Sequence, residues 1–169
     1  MQFYKIVSAK IIYNDTKHGL INNKNNPRFN INNILKHKEN TDLFYYVLKD
    51  SNIGYLSLAG MITDRLESNI DDYAIVNFQS MYYGKGYGKK LLNNIIDIFK
   101  NVWLMADPSQ EKSLVEYYRN NSKLNEFVLD NSIYNKHLYF YYSINFDKRI
   151  REKLFDYIKK MFDQQNYTV

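Results

Sequence analysis

Three glycines alternate with two other residues between Gly84 and Gly88, in the segment YYGKGYGKK. An apolar, strand-like run precedes this segment, and a strongly periodic helical sequence follows it. Glycines at such a junction indicate positive φ angles or a close approach of the backbone to a ligand. The N–H groups that open the following helix would then face an anion. The residue types and their spacing therefore predict a phosphate cradle.

The spacing argues against two common nucleotide-binding loops. A Walker A loop would need a glycine where the chain has Tyr83 and a hydroxyl where it has Lys90. A dinucleotide fingerprint, G-x-G-x-x-G, would need its third glycine at Lys89 or at Leu91. Neither a P-loop NTPase nor a Rossmann domain is therefore predicted.

Other catalytic groups leave little trace in the sequence. The absence of cysteine excludes disulfides, thiolate zinc sites and cysteine nucleophiles. The three histidines, His18, His37 and His137, have neither metal-ligand nor triad spacing. We therefore expect no metal cofactor.

The elements that must position the glycine segment alternate between strands and helices. Strands are expected at residues 3–13, 43–49, 53–60, 73–80, 102–107, 126–129 and 136–144. The second and third of these should form a hairpin, and a polar link, TDRLESNIDD, should lead to the fourth. Helices are expected within residues 14–40, from about residue 91, and at 109–120 and 147–164. This alternation predicts a mixed α/β (α+β) fold.

The run GKGYGKKLL after a strand resembles the acyl-CoA loop of the GNAT superfamily of N-acetyltransferases, whose consensus is Arg/Gln-x-x-Gly-x-Gly/Ala. The element order from Leu43 to Ile144 resembles that family as well. The resemblance implies one GNAT-like domain over residues 1–169, with a mixed, mostly antiparallel sheet of six to seven strands flanked by helices. An N-terminal strand and acceptor-side helices would occupy residues 1–42, the acyl-CoA-binding core 43–145, and a C-terminal amphipathic helix 146–169.

The same resemblance implies acetyl-CoA as the cosubstrate and assigns the residues that bind it. The strand before the loop would line the pantetheine arm with Phe78, Gln79 and Ser80. The pyrophosphate would be surrounded by Gly84, Lys85, Gly86, Tyr87, Gly88 and Lys89. Aligned amides and the helix dipole favour an anion at this point. Lys85, Lys89 or Lys90 would add positive charge near the CoA phosphates.

Acyl transfer to an amine needs a base for the amine, stabilisation of the carbonyl oxygen and an acid for the departing thiolate. The resemblance assigns the acid to Tyr118, with Tyr117 as the neighbouring alternative. A phenol of pKa about 10 keeps its proton at neutral pH. The resemblance also implies a carboxylate base six residues before Phe78, at Asp72, and the adjacent Asp71 would raise the pKa of one of the two carboxyls. An ordered water is the alternative base.

The chain departs from the family pattern at three points. Tyr83 lies where the family usually has arginine, the expected helix lacks the customary asparagine ahead of Tyr118, and no Gly-Phe pair follows Tyr118. These departures concern the catalytic details more than the cradle, which depends on backbone conformation. They motivate a second hypothesis, a catalytically inactive GNAT-like module that binds CoA or acts as an interaction protein.

The net charge of +5 comes entirely from the N-terminal part of the chain. Residues 1–40 hold seven Lys or Arg and two Asp or Glu, whereas residues 41–169 hold sixteen of each. The acceptor is expected to be an amine-bearing small molecule, a peptide or a charged tRNA. The basic segment would favour an acidic partner, or an acceptor bound to nucleic acid such as aminoacyl-tRNA. A third hypothesis is a basic nucleic-acid-binding protein that depends on Lys17, Lys24, Arg28, Lys36 and Lys38.

Neither a membrane span nor a signal peptide is expected, because no apolar run approaches ~18 residues and the first residues lack an apolar core. The sequence therefore predicts a cytoplasmic protein with no membrane partner. The expected C-terminal helix would cover a sheet edge, roof the substrate groove or pair with a second copy in a homodimer.

Overall fold

The computed structural model describes residues 1–21, 42–67, 70–106, 112–131 and 135–143. Seven strands lie in these ranges: β1 Gln2–Ser8, β2 Leu43–Asp50, β3 Gly54–Glu67, β4 Ile70–Ser80, β5 Asn101–Ala106, β6 Asn125–Asn131 and β7 Asn135–Ser143. Three helices accompany them: α1 Ala9–Lys17, α2 Tyr87–Phe99 and α3 Lys112–Asn121. The predicted mixed α/β class and the strand number are confirmed. The helices expected within residues 22–41 and at 147–164 lie outside the described residues.

The chain divides into two compact units. The first comprises Met1–Thr63 and Ala74–Ile95, and its strands follow the order β1-β2-β3-β4. The second comprises Asp64–Tyr73 and the chain from Ile96 onward, where β7 lies between β5 and β6. The sequence-based expectation of one domain stays a prediction.

The first strand is shorter than its composition indicates. The run from residue 3 to 13 was expected to be extended throughout, but this is wrong beyond Ser8, where α1 begins. The Ser8 side chain caps the helix by accepting a hydrogen bond from the Ile11 amide at 3.3 Å. Ala9 and Ile12 are buried on one face of α1, and this burial outweighs the β propensity of the Ile-Ile-Tyr run.

The predicted hairpin of β2 and β3 is confirmed, with Leu43 opposite Ile62 and Asp50 opposite Gly54. The Asp50 carboxylate accepts hydrogen bonds from the amides of Asn52 and Ile53, which shape the turn. These two bonds, the largest causes, hold the pKa of Asp50 below its usual value.

The polar link expected between β3 and β4 is mostly strand, so that expectation is wrong. β3 continues to Glu67 and β4 starts at Ile70. The two strands are hydrogen-bonded neighbours in the sheet. Backbone pairing does not require apolar side chains, and a polar stretch can therefore extend a hairpin whose two arms already lie side by side.

In the second unit, both strand pairs are antiparallel. β5 pairs with β7 from Asn101 opposite Ser143 to Ala106 opposite Leu138. β7 also pairs with β6, from Asn125 opposite Tyr141 to Asn131 opposite Asn135. The strands expected near residues 102, 126 and 136 are thereby confirmed to within about two residues.

The core of the first unit lies between its sheet and the helices. Fully buried side chains include Ile12, Tyr45, Val47, Leu48, Leu56, Leu58, Met61, Leu91, Leu92 and Ile95. The Tyr45 hydroxyl accepts a hydrogen bond from Asn77 Nδ2 at 3.2 Å. Burial raises the pKa of Tyr45 well above its usual value, and the bond from Asn77 opposes that rise. The phenol therefore stays protonated, as a buried, hydrogen-bonded part of the core.

We expect Gly60→Ala to destabilise the protein by about 1–3 kcal/mol, the usual range for an overpacked core. A Cβ on Gly60 would lie 3.2 Å from Asn77 Cβ, Asn77 Nδ2 and Tyr45 Cε1. Asn77 Cβ is attached directly to the backbone, so it can give way only if the strand moves. Urea unfolding measures the change, and an unchanged midpoint would contradict this account of the sheet.

Among the described residues, no helix has the length and apolarity that a membrane crossing requires.

Candidate functional site

The glycine segment lies between the end of β4 and the start of α2. The Met81 amide donates to the Leu56 carbonyl at 2.9 Å and holds the exit of β4 against β3. Gly84 and Gly86 both have φ near 76°. A Cβ on either residue would meet nothing within 4 Å. These two glycines are therefore required for backbone conformation, since no neighbour limits the space around them.

The start of α2 leaves its first amides outside the helical ladder. The first helical bond joins the Lys90 amide to the Gly86 carbonyl at 3.0 Å. The amides of Gly86, Tyr87, Gly88 and Lys89 therefore precede that ladder. Gly86 has no side chain to cap them, and the first turn contains no acidic residue. The positive end of the helix dipole faces an open loop, which suits an anion.

Two contacts between residues far apart in sequence hold α2 against β2 and β3. Ser57, fully buried on β3, donates from Oγ to the Tyr87 carbonyl at 3.0 Å. The Tyr46 hydroxyl on β2 donates to Asn94 Oδ1 at 2.6 Å. Ser57 was not among the residues predicted for the site, although a serine inside the apolar run YLSLA is a usable signal for a buried polar contact.

We expect Ser57→Ala to reduce the free energy of unfolding by about 1 kcal/mol, the usual net value of one hydrogen bond. Tyr87 is the first residue of α2, so the loss of the hydrogen bond to its carbonyl should loosen the first turn of the helix more than the later turns. Hydrogen exchange at the amides of residues 87–92 should therefore accelerate. Unchanged protection of these amides would show that Ser57 does not hold the turn.

The three lysines of the segment differ in their contacts. Lys90 Nζ donates to Gln2 Oε1 at 2.5 Å. Lys85 and Lys89 are exposed and make no hydrogen bond or ion pair in the described part of the chain. No Asp or Glu occurs between Tyr73 and Ile96. Of the three, Lys85 and Lys89 are therefore the two available to an anionic ligand.

The predicted pantetheine residues occupy the last three positions of β4. Gln79 is buried, with 1% of its surface exposed, and its Nε2 donates to Met81 Sδ at 3.6 Å. Phe78 and Ser80 are half-buried. Because side chains alternate along a strand, Phe78 and Ser80 share the sheet face opposite to Gln79. The structure thus places residues 78–89 in one continuous strand–loop–helix segment of the first unit.

The two candidate catalytic residues belong to the second unit. Tyr118 lies on α3 with 3% of its surface exposed, and its ring meets that of Tyr117 edge-on at 5.7 Å. Burial raises the pKa of Tyr117 above its usual value, so this phenol is protonated at neutral pH. Asp72 lies on β4, and only its backbone is described.

Among the described residues, no group of three or more histidine, aspartate or glutamate side chains is arranged to hold a metal ion.

Comparison with known proteins identifies the fold. No protein-family model matches the sequence, and no curated protein sequence matches it. Solved structures do match. NAA60 from Arabidopsis thaliana, in complex with acetyl-CoA, is 12% identical with a TM-score of 0.51, and the alignment covers 86% of this chain and 100% of that one. A mutant of the spermidine N-acetyltransferase SpeG from Vibrio cholerae is 15% identical with a TM-score of 0.53, and the alignment covers 83% of this chain and 94% of that one. The chain has the GNAT fold.

A GNAT-family protein from Desulfovibrio desulfuricans gives the same result, with 9% identity, a TM-score of 0.54, and coverage of 85% and 99%. At such identities the likeness concerns the fold alone. The GNAT resemblance predicted from the glycine segment is confirmed at that level. The roles of individual residues depend on the geometry described above.

Proposed function

We propose that this protein is an N-acetyltransferase that moves the acetyl group of acetyl-CoA directly to a primary amine. The observation that carries the proposal is the uncapped start of α2. Its first amides follow two glycines of positive φ, and no carboxylate lies nearby in sequence. The GNAT fold supports it, because matching structures include a complex with acetyl-CoA and an enzyme named for spermidine acetylation.

The cofactor would bind along the segment from β4 to α2. The amides of residues 86–89 would hold the pyrophosphate, and Lys85 and Lys89 would add positive charge near the CoA phosphates. The pantetheine arm would run along the end of β4 beside Phe78, Gln79 and Ser80, where the backbone groups of the strand would hydrogen-bond to it. No metal ion is needed in this scheme, because the amides donate hydrogen bonds to the phosphates and the lysines supply positive charge.

The reaction would proceed by direct attack. A base, Asp72 or an ordered water, takes a proton as the amine nitrogen forms a bond to the thioester carbon. The C–S bond then breaks, and Tyr118 gives its phenolic proton to the departing CoA thiolate. Neither step requires a protein nucleophile, which agrees with the absence of cysteine.

The acceptor is proposed only as a class, an amine on a small molecule, a peptide or a charged tRNA. Four of the five basic residues named for an acidic partner, Lys24, Arg28, Lys36 and Lys38, lie outside the described residues. Lys17, the fifth, ends α1.

The proposal is tested by thermal unfolding with acetyl-CoA, CoA or ATP. A ligand at one hundred times its Kd stabilises the folded state by about 2.7 kcal/mol. For a chain of this length, that corresponds to roughly 5–10 °C in Tm. We expect acetyl-CoA and CoA to raise Tm and ATP to leave it nearly unchanged. No shift with acetyl-CoA would contradict cofactor binding.

Mass spectrometry then tests transfer. The full chain is incubated with acetyl-CoA and a panel of spermidine, peptides with free N-termini and charged tRNAs. An acetylated product supports the enzyme. A Tm shift without any product would instead support the inactive CoA-binding module. Salt-dependent binding of nucleic acid without a CoA shift would support the basic nucleic-acid binder.

A further inference from the structure

Tyr83, in the loop between β4 and α2, has 98% of its surface exposed. In the part of the chain that the structure describes, it makes no hydrogen bond, ion pair or ring contact. Its neighbour Tyr82 behaves differently, because that ring packs edge-on against Tyr87 at a centroid distance of 6.1 Å. One tyrosine of the pair thus anchors the loop, and the other presents a free aromatic face.

The position of this free ring makes its exposure informative. Single exposed aromatic residues are common on protein surfaces and by themselves indicate nothing. Tyr83, however, directly precedes Gly84, whose φ of 76° turns the chain into the cradle. Lys85 and Lys89, both exposed and without hydrogen-bond or ion-pair partners in the described residues, lie within six positions of it. A flat aromatic face and two free cations therefore adjoin the same anion site.

The chemistry of the cofactor complements this arrangement. The pyrophosphate of CoA is esterified to the ribose of an adenosine that also carries a 3′-phosphate. When the amides of α2 hold the pyrophosphate, the ribose attached to it must lie next to the loop. The adenine and the 3′-phosphate are both attached to that ribose. Aromatic side chains stack readily on purines, and lysines attract phosphate.

We propose that Tyr83 stacks on the adenine of the bound cofactor and that Lys85 and Lys89 hold its 3′-phosphate. This inference rests on the proposed function, since it assigns the nucleotide end of the same cofactor. Tyr83 is then a binding residue with no part in acyl transfer. It determines how well the protein distinguishes acetyl-CoA from shorter acyl-thioester donors.

The test compares three donors: acetyl-CoA, 3′-dephospho-acetyl-CoA and acetyl-4′-phosphopantetheine, which lacks the adenosine. Calorimetry gives their Kd values for the wild type, Tyr83→Ala and Tyr83→Phe. We expect Tyr83→Ala to weaken acetyl-CoA binding by roughly five- to tenfold, the lower part of the range for base–aromatic stacking. Tyr83→Phe should bind as the wild type does. Ile53→Ala, at an exposed apolar residue in the β2–β3 turn, serves as the control.

The phosphopantetheine donor separates stacking from loop structure. Its Kd should not change in Tyr83→Ala, whereas an equal loss for all three donors would mean that Tyr83 acts through the loop and would overturn the stacking. Lys85→Ala with Lys89→Ala should weaken acetyl-CoA more than the dephospho donor. An unchanged acetyl-CoA Kd in Tyr83→Ala overturns the inference but leaves the proposed function intact. No binding of acetyl-CoA by the wild type overturns both.

Nuclear magnetic resonance supplies a readout that a purely structural role would not move. Stacking shifts the adenine H2 and H8 resonances upfield through the ring current of the tyrosine. We expect this shift in the wild type and in Tyr83→Phe, and its loss in Tyr83→Ala at saturating ligand. An equal adenine shift in all three proteins would contradict the stacking.

Discussion

Gly86→Val is expected to abolish the thermal stabilisation by acetyl-CoA. Gly86 has a φ of 76°, and a β-branched side chain is strongly disfavoured in this region. Keeping that conformation would cost about 1–2 kcal/mol, and otherwise the loop must rearrange. Rearrangement would turn the first amides of α2 away from the pyrophosphate. We expect at least a tenfold loss of acetyl-CoA affinity, measured by thermal shift and calorimetry.

Gly19→Val is the matched control for this variant. Gly19 also has a φ of 76° and open space around it, but it follows α1 and lies outside the glycine segment. Both variants should unfold at a lower temperature, and only Gly86→Val should lose the response to acetyl-CoA. Gly86→Asn should retain part of it, because asparagine tolerates positive φ. A full acetyl-CoA shift in Gly86→Val would show that the glycine segment is not the site.

Tyr118→Phe is expected to lower kcat by about a hundredfold, the lower limit for loss of a positioned general acid. The change removes only the phenolic oxygen and keeps the aromatic ring of a residue that has 3% of its surface exposed, so the Kd of acetyl-CoA should be preserved. The effect is measured by steady-state kinetics with an acceptor from the amine panel, in which the released CoA is detected.

Tyr117→Phe is the matched control on the same helix. Its ring contacts that of Tyr118 edge-on, so it tests whether packing alone accounts for any loss. We expect a change of less than threefold in kcat for Tyr117→Phe. A large loss in Tyr117→Phe with a normal rate in Tyr118→Phe would transfer the acid role to Tyr117. Normal rates in both would remove this pair from the mechanism.

The strand–loop–helix segment was predictable because its signals are local. Glycine alternation indicated positive φ, and the structure has it at Gly84 and Gly86. Apolar residues at helical spacing predicted α2, whose buried positions Leu91, Leu92 and Ile95 match that pattern. The fold class followed from the order of such elements, and the GNAT resemblance depended on the same short region.

Two predictions about the fold were wrong because contacts with distant parts of the chain outweighed the local secondary-structure propensity. The run after Ser8 is rich in β-branched residues, yet it is helical because Ser8 caps it and Ile12 is buried. The link between β3 and β4 is polar, yet its strands are neighbours in the sheet. Propensity alone cannot predict either outcome, since burial and strand pairing depend on distant parts of the chain.

For the candidate site, the sequence alone was enough to indicate an anion cradle at residues 84–89, because glycine conformation and helix-start amides depend on adjacent residues. Only the tertiary structure could show that Lys90 contacts Gln2 while Lys85 and Lys89 stay available. It likewise revealed Ser57 under the first turn of α2 and the free face of Tyr83. These features depend on contacts between residues 30 to 88 positions apart, or on the lack of such contacts, and no local pattern encodes them.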